Sequence, residues 1–196
     1  MENFVSHAVI LALAGTGYVL LLLFDMAQLY HRRALAVLSS TIGYLCVTSA
    51  SIFLVLSFRP FPAPVFLQIL LLCGAAAGVI LMVLSLFVHL PQAEIYAGTP
   101  ASTGRRAAAT GLYALARHPF FLSYTLFLAS FGFLFRDASY NGLALAMLAM
   151  ELVLVTIEDL VIFPRLFENY AVYQEAVPML VPWSGRGRRG EQGQKR

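Results

Sequence analysis

The stretch VFLQILLLCGAAAGVILMVLSLFV, residues 65–88, decides the fold. It holds no charged side chain over 24 residues, and a helix needs about 20 residues, at ~1.5 Å rise each, to cross a bilayer. Similar apolar runs lie on both sides of it. They place candidate spans at His7–Phe24, Ala34–Phe58, Val65–Val88, Pro119–Phe135 and Gly142–Phe163. Between the second and third, Arg59-Pro60-Phe61-Pro62-Ala63-Pro64 is a helix-breaking turn, because proline offers no N–H to a continuing helix.

Composition agrees. The chain is 60% hydrophobic and 12% charged, too little charge to cover a water-soluble domain of this size. The fold class expected is all-α: a polytopic membrane protein of about five transmembrane helices with a C-terminal cytoplasmic helix. Residues 1–110 are expected to form N-terminal helices and a cytoplasmic loop, 111–183 the remaining helical region, and 184–196 a Gly-rich basic tail read as disordered.

Basic residues set the orientation. With five spans, Arg32, Arg33, Arg105, Arg106, Arg117, Arg165, Arg186, Arg188, Arg189, Lys195 and Arg196 share one side, and only Arg59 and Arg136 lie opposite. By the positive-inside rule the C-terminus is cytoplasmic and the N-terminus outside. The net charge of +3 therefore serves topology, and no nucleic-acid partner is expected. Cys46 and Cys73 sit inside apolar runs as packing residues. His31 and His89 are loop residues with no second histidine at ligand spacing, so no metal is expected. The small residues Gly15, Gly17, Ser39, Ser40, Gly43, Gly74 and Gly78 suit close helix packing in lipid.

Polar features gather in the second half. Gly111-Leu112-Tyr113-Ala114-Leu115-Ala116-Arg117-His118-Pro119 leads into the fourth span. Glu158-Asp159 ends the fifth, Tyr170 and Tyr173 follow on one helical face, and Val177-Pro178-Met179-Leu180-Val181-Pro182-Trp183 closes the folded part. Pro119–Phe135 and Gly142–Glu158 are each seventeen residues long. A short hairpin between antiparallel helices thus brings Arg117-His118 beside Glu158-Asp159. Pro119 suits the first helical position, and the free amides after it favour an anion. Together the basic and acidic pairs suit a zwitterionic amino-acid group. The same residues also fit a plainer reading, in which Arg117 is a topology anchor paired with an acid and His118 is interfacial. Read alone, Tyr170, Tyr173 and Trp183 fit an interfacial aromatic belt. Asp25 reads as interfacial too. Glu151, about two turns deeper than Glu158 on the same face, faces either an acceptor pocket or a neighbouring helix.

The pattern G-x-Y-x-x-x-R-H-P, the acidic pair, Y-x-x-Y twelve residues after the first acid, and V-P-x-x-x-P-W resembles the isoprenylcysteine carboxyl methyltransferase and phospholipid methyltransferase superfamily. The resemblance spans about Thr110–Trp183. It implies an integral membrane methyltransferase whose cofactor is S-adenosyl-L-methionine and whose partner is a membrane lipid or lipophilic small-molecule acceptor. By the same resemblance, Tyr113, His118, Pro119, Phe120 and Phe121 line the cofactor site and Glu158 holds the cofactor's amino group. Arg106-Ala107-Ala108 would edge it, and Arg117 and His118 are the candidate catalytic residues, organising the site electrostatically. The chain departs from the family pattern at Phe121 for Tyr, Ser123 for Gly, Asp159 for Glu and Leu166-Phe167 for Phe-Gly. Leu154 stands where prenylcysteine-specific members carry the arginine that grips the substrate carboxylate, so a prenylcysteine acceptor does not follow. Two alternatives stay open: an NADPH-dependent, sterol-reductase-like membrane enzyme, and a non-enzymatic membrane scaffold or transporter.

Overall fold

The structure, a computed structural model, describes residues 2–89, 94–96, 105–107 and 109–180. Residues 181–183 of the closing motif, Ala108 and the tail lie outside the described residues. The chain is mostly helical. α1 (Glu2–Leu29) and α2 (Arg33–Leu56) form a hairpin through a turn in which His31 adopts φ 56°. α3 (Val65–Val83) runs on through a π turn, Leu84–His89. α4 (Pro119–Phe135) and α5 (Ala138–Ile157) form the second hairpin. A π turn (Glu158–Ile162), α6 (Phe163–Leu166) and α7 (Tyr170–Ala176) complete the order.

Among the described residues, His7–Leu29, Arg33–Leu56 and Val65–Val88 are long and apolar enough to cross a membrane. Pro119–Phe135 has the expected limits, but its 17 residues give only about 26 Å of helix. The fifth expected span begins at Ala138, not Gly142, because Asp137 caps the helix and accepts from Ser139 N–H at 2.7 Å and Tyr140 N–H at 3.1 Å.

Two pairs of helices make the bundle: α1 with α2, and α3 with α4, while α5 touches both α1 and α4. Glycine sets both close crossings. A Cβ on Gly17 would stand 2.9 Å from the Gly43 carbonyl oxygen, and one on Gly78 would stand 2.9 Å from Phe127 N and Ser123 O. Only a missing side chain permits such an approach. An aromatic ladder of Phe120, Tyr124, Phe127, Phe131 and Phe135 runs down α4. It meets Tyr140 of α5 and Phe58 at the far end.

The all-α expectation needs one correction. β1 (Glu94–Tyr96) and β2 (Arg105–Ala107) form a small antiparallel ribbon, with Glu94 opposite Ala107. This polar connection has no apolar helical period, so its backbone finds partners across a ribbon instead. The side-chain amide of Asn169 completes it, accepting from Ala107 N–H at 2.8 Å and donating to Ala107 C=O at 2.7 Å.

Candidate functional site

The approach to α4 is held from the C-terminal side. Gly111 takes φ 53°, a left-handed conformation that favours glycine, and opens a tight turn through Ala114. The backbone N–H groups of Arg117 and His118 then donate to the carbonyls of Pro178 and Met179, at 2.9 and 3.2 Å. Tyr173 Oη donates to the Tyr113 carbonyl at 2.7 Å. Val177-Pro178-Met179 is thus a clip that fixes where Arg117 and His118 enter α4, with Pro119 buried at the first helical position.

At the end of α5 the helix widens. Phe163 N–H bonds back to the Glu158 carbonyl, and Pro164 has no N–H to offer Leu160. Such π turns recur at functional sites. Here the turn sends neighbouring acids to different jobs. Asp159, 2% exposed, accepts from Arg117 Nη1 at 2.6 and 2.8 Å, from Tyr170 Oη at 2.6 Å and from Gln174 Nε2 at 3.4 Å. Glu158 instead borders a cavity and lies beside Asp25 of α1.

His118 stands between the two acids. Its Nδ1 is 3.5 Å from Glu158 Oε2 and its Nε2 is 3.5 Å from Asp159 Oδ1. The imidazole stacks on Phe163 at 5.8 Å between ring centres. Its Nε2 and the Nε of Arg117 are buried with no hydrogen-bond partner, a rare condition for polar atoms.

The cavity has an inner void of about 140 Å³ within about 1020 Å³ of empty space that runs out to its mouth. Tyr113, Arg117, His118, Phe120, Phe121 and Glu158 all line it, so the structure gathers these site residues in one place. Ala107 lines it as well, whereas Pro119 acts by shaping the helix start. The hairpin therefore brings the basic and acidic pairs together as the residue count required.

Three sequence readings change. Tyr170 and Tyr173 are not a lipid-facing belt: both are buried, since the one bonds Asp159 and the other Tyr113. Asp25 is not interfacial: it is 4% exposed and lines the cavity, so a lone acid interrupting an apolar helix was itself the signal. Arg117 is an anion receptor only in part, because Nη1 is held by Asp159, while its buried Nε has no hydrogen-bond partner. Glu151, 4% exposed, meets both expected alternatives: it lines the cavity and hydrogen-bonds Tyr18 of the neighbouring α1. The sequence reading missed the contribution of α1 and α2 through Phe24, Gln28 and Tyr44.

Burial, and then the hydrogen bond to Asp159, pushes the Tyr170 phenol well above its ordinary range, and burial does the same for Tyr173. Both are neutral donors at physiological pH. Comparison with protein-family models, with curated proteins and with solved structures finds no match to the chain.

Proposed function

We propose that the chain is an integral membrane methyltransferase using S-adenosyl-L-methionine, with a lipid-like acceptor met at the cytoplasmic side. One observation carries the reading: the cavity that gathers the motif residues is acidic and aromatic. Asp25, Glu151 and Glu158 line it, and its basic member, Arg117, is paired with Asp159 outside the void. S-adenosylmethionine, with a sulfonium and an ammonium against one carboxylate, is a net cation. The wall suits it, since acids and aromatic faces attract cations. The same wall repels the phosphates of NADPH, which disfavours a reductase.

The donor set fits the group in detail. Glu158 would take the ammonium, while Arg117 Nε and the free amides after Pro119 would take the carboxylate. Tyr113, Phe120 and Phe121 supply aromatic surface. When bound, the cofactor supplies a methyl group activated by positive sulfur. The protein's part is to orient, to exclude water and to hold charge in place. His118, held between two carboxylates, and Arg117 organise that field.

In the same proposal α4 and α5 join the three longer helices as the fourth and fifth spans. The C-terminus then lies in the cytoplasm, where the cofactor is made, and the N-terminus outside. A 17-residue α4 fits where the bilayer thins locally. Calorimetry on the detergent-purified chain tests the reading. S-adenosylmethionine is expected to bind, NADPH is not, and Glu158→Gln is expected to weaken binding about tenfold or more. Absence of cofactor affinity in the intact chain sinks it.

A further inference from the structure

We infer that Glu151 takes up a proton from the ligand held in the cavity. Behind it Tyr18, Tyr124 and Ser51 are positioning residues, a chain of hydroxyl groups whose hydrogen bonds reverse direction when the proton arrives. The use of that proton in group transfer rests on the transferase reading; the exchange itself does not.

The chain ties four helices together. Glu151 of α5 lines the cavity and hydrogen-bonds the Tyr18 hydroxyl of α1. Tyr18 hydrogen-bonds Tyr124 of α4, and Tyr124 Oη lies 2.9 Å from Ser51 Oγ of α2. Ser51 in turn donates to the Val47 carbonyl at 2.9 Å. All four side chains are buried, and of the four Glu151 alone borders the cavity. Protons from the cavity therefore reach the chain through that carboxyl.

Counting hydrogens shows what the chain can do. Each hydroxyl has one proton to give. While Ser51 gives its own to Val47, Tyr124 must give to Ser51 and Tyr18 to Tyr124. The Tyr18 oxygen is then left to accept, which requires a protonated Glu151. An ionised Glu151 is acceptor only. Tyr18 then turns its proton to the carboxylate, Tyr124 turns to Tyr18, and Ser51 turns to Tyr124. The Val47 carbonyl keeps its helix bond from Ser51 N–H. Every hydroxyl proton has an acceptor in both arrangements, so neither charge state strands a buried donor. One weak bond is exchanged for a charge-assisted one. Packing alone needs one arrangement; this chain supplies two.

The other acids nearby are committed. Asp159 holds Arg117, and Glu158 hydrogen-bonds Asp25, where the cofactor's ammonium is proposed to sit. Tyr44 of α2 and Glu158 also act on Glu151, and His118 stands between Glu158 and Asp159. Under the transferase reading, an acceptor that bears a proton bonds to the methyl carbon through its attacking atom. The S–CH3 bond breaks as that bond forms, its electron pair stays on sulfur, and the acceptor's proton passes to the Glu151 carboxylate. The acceptor is then a neutral nucleophile, since a carboxylate has no such proton to shed.

The test reads the proton itself, by infrared absorption of the protonated carboxyl in the full, unliganded chain in uncharged detergent, with Glu151→Gln identifying the band. Glu151 is expected to pass between its two charge states within the pH range in which the chain stays folded. At a fixed pH, Tyr18→Phe removes the donor to the carboxylate and is expected to raise the ratio of protonated to ionised Glu151 about threefold to tenfold. Tyr124→Phe and Ser51→Ala each remove an acceptor that only the protonated arrangement needs, and each is expected to lower that ratio by a similar factor. Ser51→Ala changes shape least and carries the sign where Tyr124→Phe does not fold. A carboxyl that keeps one charge state throughout overturns the inference. So does a ratio that Ser51→Ala leaves unchanged or raises, or that Tyr18→Phe lowers. Opposite shifts without S-adenosylmethionine affinity would instead sink the transferase reading and leave the proton exchange standing.

Discussion

Arg117 donates from one nitrogen, Nη1, to both carboxylate oxygens of Asp159, at 2.6 and 2.8 Å, with side chains 11% and 3% exposed. The pair joins the entry of α4 to the exit of α5, and Tyr170 adds a third tie from α7. Removing one partner strands a charge in a poorly solvated place, which costs more than removing both. Asp159→Ala is expected to destabilise the chain by about 3 kcal/mol. The double change Arg117→Met with Asp159→Leu is expected to recover most of that. Denaturant unfolding in detergent checks both, and equal losses in single and double variants would contradict the coupling.

Helix crossings give a second expectation. At Gly78 a Cβ would stand 2.9 Å from backbone atoms of Ser123 and Phe127, whereas at Gly142 it meets nothing within 4 Å. Backbone cannot swing aside as a flexible side chain can. Gly78→Ala is therefore expected to cost about 1–3 kcal/mol by forcing α3 and α4 apart. Gly142→Ala, in α5, is expected to gain up to about 1 kcal/mol from helix propensity. Thermal unfolding of the two single variants reads the contrast.

The hairpin was legible because equal residue counts on two antiparallel helices place their ends at one depth, and that arithmetic brought Arg117-His118 to Glu158-Asp159. Which of two adjacent acids faces the cavity was not legible from residue spacing, and the family resemblance alone pointed to Glu158. The π turn rotates Glu158 and Asp159 off a regular helical face, and its cause, Pro164, lies five residues beyond Asp159. The inward faces of α1 and α2 were hidden for another reason. A helix that is apolar all round carries no periodic signal of which side meets protein and which meets lipid, so Phe24 and Tyr44 gave no direction, and Asp25 alone marked an inward side. The ribbon at Arg105–Ala107 depends on Asn169, 62 residues away in sequence from Ala107, a partnership that no local pattern encodes.

The proposed five crossings make a third expectation. In a chain whose Cys46 and Cys73 are replaced by alanine, single cysteines at Asn141 and at Arg165 should fall on opposite faces of the membrane. An impermeant maleimide added to intact cells is expected to label Asn141→Cys and to spare Arg165→Cys until the membrane is opened. Labelling of both from outside would remove α5 from the list of spans, and with it the cytoplasmic placement of the C-terminus.

Alkaline pH offers the last expectation. Tyr170 is buried and donates to Asp159 at 2.6 Å, so its phenol ionises far above its ordinary value of 10.0. A raised value in the folded state means that the unfolded chain loses the proton first. Its contribution to stability is then complete below about pH 10 and falls as pH rises beyond that. Tyr170→Phe removes the hydrogen bond at every pH, at a cost of about 1–2 kcal/mol, and removes this alkaline decline with it. Two measurements check the argument. Tyrosinate absorbance should show no Tyr170 step near pH 10 in the folded protein but a normal one in denaturant. The stability difference between the unmodified chain and Tyr170→Phe should shrink steadily between about pH 10 and 12. A difference that stays constant across that interval would show that the Tyr170 hydroxyl does not hold its proton through Asp159.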